Sequence, residues 1–399
     1  MKPPASVQTR AIAEFATVVT GGTPSTSNKD YWDGDVPWLN SGALNDGYVA
    51  TPTRFITQKG LSSSSAKLMP ADTVLIALTG ATVGQVGYLA FEACANQSVT
   101  GVLPSEEHDS RYLYHFLRTR RQRIKNDAFG GAQPHINQKY VKDLLIPLPL
   151  LAEQKRVAGI LDAADALRAK RRESLARIGT LLESTFLDMF GDPVANPMGW
   201  TVAGIVDAVD GRYGIKAGPF GSALKKDDYV GSGYRVYGQE QVIAGRFDIG
   251  DYYIDEVKFQ KLRNCAVTAG DILVSLVGSY GRVLVVPEGI EPGVINPRLL
   301  KITPRQELVT SLYLATLIQN EAIQRQLESM SHGGTMGILN AGLLKQLSIP
   351  IPPLDLQHRF AAIVESVEEQ KDLMRAHLAE LDTLFASLQQ RAFNGELSA

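Results

Sequence analysis

Leu145-Ile146-Pro147-Leu148-Pro149-Leu150-Leu151 leads into Glu153-Gln154-Lys155-Arg156 and then into an unbroken helical pattern that ends at Phe190. The same stretch recurs. Leu347-Ser348-Ile349-Pro350-Ile351-Pro352-Pro353-Leu354 leads into Gln357-His358-Arg359 and a second helical pattern ending near Phe393. Pro147 pairs with Pro350, Gln154 with Gln357 and Phe190 with Phe393, each 203 residues apart. A repeat on this scale marks a duplicated chain, so the segments flanking it are two versions of one plan.

Under a seven-residue period the first helix places Val157, Ala164, Arg171, Ile178 and Thr185 at one seam position, and Leu161, Arg168, Leu175, Leu182 and Met189 at the other. The second helix gives Phe360, Val367, Met374, Leu381 and Leu388, then Val364, Lys371, Leu378, Phe385 and Ala392. Seams of this spacing over nearly five heptads predict coiled-coil helices. Arg168 and Lys371 interrupt them at equivalent positions, where a polar residue sets register at some cost in stability. Lys155–Arg177 holds seven basic and three acidic residues, His358–Glu380 three basic and five acidic. Opposite signs favour packing of the two helices on each other. Antiparallel, with a rise of roughly 1.5 Å per residue, about 38 residues give a rod of roughly 57 Å that spaces two similar domains.

Those domains read as β-rich. In the first, Gly21-Gly22-Thr23-Pro24-Ser25-Thr26-Ser27 is turn-forming, and Tyr31-Trp32 and Val36-Pro37-Trp38 are aromatic strand segments. Thr73–Leu78 is a short buried strand, and Gly80–Gly87 a glycine-punctuated turn. Arg111–Lys125 is a helix with Leu113, Phe116, Leu117 and Ile124 as its apolar stripe; it carries six basic residues and no acid. The glycine loop Gly130–Asn137 follows. The second copy keeps this order, with Gly218–Ser222, Asp271–Gly278, Asn296-Pro297-Arg298, a helix over Ser311–Met330, and Gly333-Gly334. The fold class is α+β: recognition-type domains at 1–148 and 194–350, long helices at 149–193 and 351–399.

Composition bounds the function. With 44% apolar and 21% charged residues the 399-residue chain reads as a soluble protein of two or three domains. Met1-Lys2-Pro3-Pro4 opens no signal sequence, and no apolar run spans a bilayer. Cys94 and Cys265 have no CxxC partner, which fits a reduced, cytoplasmic setting. A net charge of −2 and a pI near 6.3 make no global case for nucleic acid. GxSxG, HExxH and Walker A motifs do not occur. The six histidines form no metal-ligand spacing. Glu153-Gln154-Lys155, Glu256-Val257-Lys258 and Glu369-Gln370-Lys371 match the ExK of nucleases only as bare triplets, and no Asn/Asp-Pro-Pro-Tyr loop of amino-methyltransferases stands in the chain.

What remains is recognition surface. Arg118 and Arg121 on the basic helix are candidates for phosphate contact. Thr23, Ser25, Thr79, Thr82, Ser222, Ser279, Tyr280, Arg282 and Thr335 lie on turns that present backbone N–H and short polar groups. Gln85, Gln133 and Gln239 are side chains of the type that read base edges. His135, Lys216 and Lys225 complete the set. As plain structure these are a solvated helix face and ordinary β-turns, and Trp32 and Trp38 are core packing rather than stacking groups.

The order of these motifs, doubled, resembles the specificity subunit of type I restriction–modification enzymes over essentially the whole chain. It is carried by Gly22-Thr23-Pro24-Ser25, Tyr31-Trp32, Val36-Pro37-Trp38, Asp72–Gly87, Gly130-Gly131 with Gln133-Pro134, Ile146–Val157, Phe186–Asp192, Gly218–Ser222 and Gly270-Asp271-Ile272-Leu273. Leu356 in place of Glu153, and Met336-Gly337 in place of Gln133-Pro134, depart from it. The resemblance implies a non-catalytic subunit of a host-defence restriction system. It implies two target-recognition domains reading the halves of a split, asymmetric site in double-stranded DNA, with the helices as spacer and docking surface for two modification subunits. Two restriction subunits would add ATP- and Mg-dependent translocation and cleavage. It implies no cofactor of the chain's own; S-adenosylmethionine, for adenine methylation, would sit in the modification subunits. The readings kept beside it are a coiled-coil adaptor that binds proteins and a self-sufficient methyltransferase or nuclease.

Overall fold

A computed structural model of the chain describes residues 8–131, 133–211, 213–220, 223–276, 281–330 and 341–397. They pack into two compact units, Met1–Glu173 with Arg375–Ala399, and Ser174–Met374. The division between these units falls in the middle of both long helices. Each helix half has an apolar seam to bury and buries it in a different unit.

In the first unit one sheet runs Val18–Thr20, Val99–Val102, Val74–Ala77, Val86–Leu89, Tyr48–Val49. A second runs Arg54–Ile56, Trp32–Leu39, Ala93–Ala95, Leu68–Met69. The expected buried strand is their hinge. Val74 and Ile76 face the core that holds Phe116, Leu117 and Ile124, whereas Leu75 and Ala77 face the one that holds Leu39 and Val99. Strand side chains alternate between faces, so a continuous apolar run serves two cores at once. The second unit repeats this. Its sheets run Ile215–Ala217, Leu299–Ile302, Ile272–Ser275, Val283–Val285, and Tyr229–Val230, Tyr253–Ile254, Tyr234–Tyr237, Gly293–Ile295, Ala266–Val267. Ile272 and Val274 enter one core and Leu273 the other.

The long helices span Leu151–Phe190 and Leu354–Phe393. In the first unit the opening half of the first helix meets the closing half of the second, through Arg168 Nε to Asp382 Oδ1 at 2.6 Å. In the second unit the closing half of the first helix meets the opening half of the second, with Phe186 and Phe190 edge-on to Phe360. The helices are therefore antiparallel within each unit. Val157, Leu161, Phe360 and Phe385 are buried; Arg168, Leu175, Leu182, Val364, Lys371 and Leu378 are half-buried. The sequence sets a basic Lys155–Arg177 against an acidic His358–Glu380. The cross-helix acid that Arg168 and Arg172 reach is Asp382, outside that acidic window.

Both helices begin with the same clamp. Gln154 Oε1 accepts the Asp109 N–H at 2.9 Å while its Nε2 donates to the carbonyls of Glu107 and Pro149. Gln357 does the same to Thr310, Leu308 and Pro352. Both glutamines are buried, and the Pro-x-Pro segment before each supplies one of the acceptors. The Tyr112 and Tyr313 hydroxyls donate to Pro147 and Pro350 of the strands just before.

The first basic helix spans Ser110–Asp127, and its predicted stripe is buried. Its counterpart is not the single helix expected over Ser311–Met330 but two, Ser311–Gln319 and Glu321–Met330. Asn320 takes extended backbone between them, and its Oδ1 accepts the Ala322 N–H at 2.9 Å. Asparagine competes with the helix for backbone partners in this way.

Candidate nucleic-acid interface

The sheet register gathers the scattered turn motifs at one end of each unit. Val99–Val102 is antiparallel to both Val18–Thr20 and Val74–Ala77, with Thr100 opposite Thr20 and Val99 opposite Ala77. The Gly21–Ser25 turn, the Asn96–Ser98 turn and the Leu78–Thr82 turn therefore leave the same edge. The Asn96 N–H donates to the Leu39 carbonyl at 2.8 Å, which brings in the end of the second sheet. Thr79 bridges to His135, and the Gly80 N–H donates to the Pro134 carbonyl at 2.8 Å, which adds the glycine loop.

The two tryptophans hold the first of these turns from below. Trp38 Nε1 donates to the Gly22 carbonyl and Trp32 Nε1 to the Ser25 carbonyl, each at 3.1 Å. Their rings meet edge-on at 5.2 Å. The Arg54 guanidinium lies 4.3 Å from the Trp32 ring. Gly21 has to be glycine, because a Cβ there would fall on the Ala95 carbonyl. Thr23, half-buried, donates to Gln97 Oε1, while Ser25 is exposed. Gln133 is exposed; His135 is half-buried beneath the exposed Phe129 ring at 4.0 Å. Thr79 and Thr82 are half-buried.

Three candidates make bonds within the first unit. Arg118 donates to Asp165 at 2.6 Å. Arg121 is ion-paired with Asp46 at 2.5 Å. Gln85, with its amide turned to satisfy both ends, donates to the Leu44 carbonyl at 2.7 Å and accepts from Arg121. Three of the six positive charges of the basic helix are thus answered by acids from other elements, Arg111 by Asp162, Arg118 by Asp165 and Arg121 by Asp46, while Arg123 pairs with Asp127 at the end of the same helix. A count along the helix missed Asp46, Asp162 and Asp165 because they lie far away in sequence. Burial alone would raise the Asp165 carboxyl, but Arg118 and Arg168 together hold it below its ordinary range.

In the second unit Ala217 lies opposite Leu300 and Ser275 opposite Leu299, and the Ser275 N–H donates to the Arg282 carbonyl, so Gly218–Phe220, Asn296–Arg298 and Gly281-Arg282 share one end. A Cβ at Gly218 would fall on the Asn296 carbonyl, the counterpart of Gly21 over Ala95. Lys216 is half-buried, 5.7 Å from the Tyr213 ring. Lys225 and Arg282 are exposed. Gln239 follows Tyr237, whose carbonyl accepts the Asn296 N–H, and its Oε1 is buried without a hydrogen-bond partner. Ser222, Ser279, Tyr280 and Thr335 lie outside the described residues. Asp271 is fully buried at the opposite end of this sheet, before Ile272, and accepts from Thr268, Lys301 and Thr303, a structural role.

Gln97, Arg298 and Phe220 join the interface without having been singled out as contacts. Asn96-Gln97-Ser98 and Asn296-Pro297-Arg298 stand 200 residues apart, and that match was the available signal. Arg298 and Phe220 are exposed. Cys94 is buried and its thiol is pushed up to about 11 by burial, which makes it unreactive. Among the described residues no three His, Cys, Asp or Glu side chains gather as a metal site, and no helix is long and apolar enough to cross a membrane.

Two like units, each offering one set of turns at one end of a sheet, define a duplicated recognition architecture. The chain belongs to the family described as type I restriction modification DNA specificity domain, whose model matches residues 4–177 and again 221–383. It is 28% identical over 238 residues to the MjaIX specificity subunit of Methanocaldococcus jannaschii, a match covering 54% of each chain, so it spans about half the length of that relative. The MjaVIII specificity subunit of the same organism is 20% identical, over 97% of this chain and 92% of that one. The StySPI specificity subunit of Salmonella potsdam is 24% identical over 100% of this chain and 90% of its own. Among solved structures, the S subunit of a type I system from M. genitalium superposes with a TM-score of 0.57 at 16% identity over 98% of both chains. A chain from a type I system, solved to describe its complex assembly and conformational transition, gives 0.63 at 18% identity over 100% of both. These two likenesses concern the fold.

Proposed function

We propose that this chain is the specificity subunit of a type I restriction–modification complex, each unit reading one half of a bipartite DNA site. The observation that carries this is the doubled match of the family model, which falls on the two units whose sheets gather equivalent turns at equivalent ends. Thr23, Ser25, Gln97, Thr79 and Gln133 face the duplex in the first half-site, and Lys216, Arg282, Arg298 and Gln239 in the second. Arg118 and Gln85, bonded within the unit, hold the fold beneath these turns, and Arg121 keeps an exposed face beside its bond to Asp46. The long helices set the number of base pairs between half-sites and dock two modification subunits, which hold S-adenosylmethionine. Two restriction subunits bring ATP, Mg and cleavage. The complex works in the cytoplasm, where its DNA is.

The test is methylation mapping of the assembled complex. Exchange of residues 1–148 for the corresponding domain of another specificity subunit is expected to change one half of the target, and a change in both halves overturns domain independence. Insertion of one heptad in a long helix is expected to lengthen the spacer and keep both half-sites. An unchanged spacer refutes the ruler. Methyl transfer by the lone chain would favour a self-sufficient enzyme, and failure of the assembled complex to select DNA would favour an adaptor.

A further inference from the structure

The two copies differ where the long helices meet the helix that follows the sheet. In the first unit that space is filled. Arg118 donates to Asp165, Arg168 bridges Asp165 and Asp382, and the Phe385 ring lies 4.3 Å from the Arg168 guanidinium. His115 adds a 2.7 Å bond to Asp162. The clamps and the tyrosine–proline bonds align Ser110 with Ser311 and Gln154 with Gln357, so the equivalents in the second unit can be read off. Gln319 stands for Arg118, Thr316 for His115, Lys371 for Arg168, Glu368 for Asp165, Gly179 for Asp382 and Leu182 for Phe385. The Lys371–Glu368 pair survives at 2.6 Å. The flanking arginine, aspartate and phenylalanine have become smaller or uncharged, and a cleft of about 510 Å³ lies there.

Its walls carry three carboxylates, Glu183, Glu321 and Glu368, against the Lys371 ammonium; Arg325 stands 3.4 Å from Glu321. Phe186 and Val364 form its apolar floor. We propose that this cleft receives an arginine side chain presented by a protein subunit docked on the second unit, standing where Arg118 of the chain itself stands in the first. A guanidinium leaving water needs a carboxylate partner, which Glu368 supplies. Its aliphatic stem covers Leu182 and Val364. The inference rests on the specificity-subunit function, and the partner it names is the modification subunit.

The experiment titrates the full-length chain with the modification subunit of its own system by native mass spectrometry. Gln319→Arg combined with Leu182→Phe rebuilds the filling of the first copy. It is expected to leave the unfolding midpoint unchanged or higher and to weaken binding at one site at least tenfold, about 1.4 kcal/mol. Glu183→Lys, an exposed rim change that reverses charge without filling, is expected to weaken the same site. Unchanged binding in both variants overturns the proposal. Loss on filling with none on charge reversal assigns the cleft to an apolar side chain and also overturns it. A wild-type chain that takes up no modification subunit and selects no DNA overturns the function itself as well.

Discussion

Arg168 donates to Asp382 at 2.6 Å, whereas Lys371, its counterpart 203 residues later, faces Gly179 at the position equivalent to Asp382. The two polar interruptions of the seam are therefore not energetically alike. Arg168 is 14% exposed and shares two carboxylates; removing one leaves a poorly hydrated charge. Asp382→Ala is expected to cost about 1–3 kcal/mol. Lys371→Ala breaks only an i,i+3 pair and is expected to cost less than about 1 kcal/mol. Urea unfolding of the purified variants measures both, and equal costs would refute the asymmetry.

The glutamine clamps give a second expectation. Gln154→Leu or Gln357→Leu strands a buried N–H, of Asp109 or Thr310, and the acceptors beside it. Each is expected to destabilise by about 1–3 kcal/mol. Amide hydrogen exchange should quicken at Asp109 in one variant and at Thr310 in the other. Exchange at the wild-type rate would mean that the clamp contributes nothing.

Acid should act through Asp165. Its folded-state pKa lies below the ordinary 3.8. The stabilisation is therefore fully present well above pH 3.8 and disappears as pH falls through the lowered folded value. Asp165→Asn is expected to lose about 1–3 kcal/mol at pH 7. The deficit should shrink toward pH 3, and a deficit independent of pH would contradict the linkage.

Trp38→Phe removes the donor to the Gly22 carbonyl while keeping an aromatic core. It is expected to cost about 1 kcal/mol of stability. In the assembled complex, selectivity should relax in the half-site read by the first unit and hold in the other. Relaxation in both halves, by competition binding, would contradict the placement of the Gly22–Ser25 turn.

Arg282→Ala and Arg298→Ala test the second half-site. If each arginine meets a phosphate, each variant should lower the slope of log affinity against log salt by about 0.9 in magnitude and weaken all sequences alike. An unchanged slope would place both arginines off the backbone.

Much of this molecule was legible in one dimension. The repeat at 203 is read by matching the chain to itself, the Thr73–Leu78 strand by its continuous apolar run, and the heptad seams and the apolar stripe of the basic helix by periods of 3.5 and 3.6 that local geometry imposes on any chain. Register was another matter. That Arg118 and Arg121 are neutralised by Asp165 and Asp46 depends on partners 47 and 75 residues away, and no count of charge within a helix contains them. The break at Asn320 turns on one side chain capturing a backbone N–H. The long helices look like separate spacers because their pattern is continuous, yet each half is buried in a different unit. By itself the sequence determined the duplication, the element types and the buried faces, because these follow from spacing along the chain. Only the tertiary structure decided which polar residues stay exposed and that Thr23, Thr79 and Gln133 share one end of a sheet, because antiparallel pairing brings together residues that lie far apart in the chain.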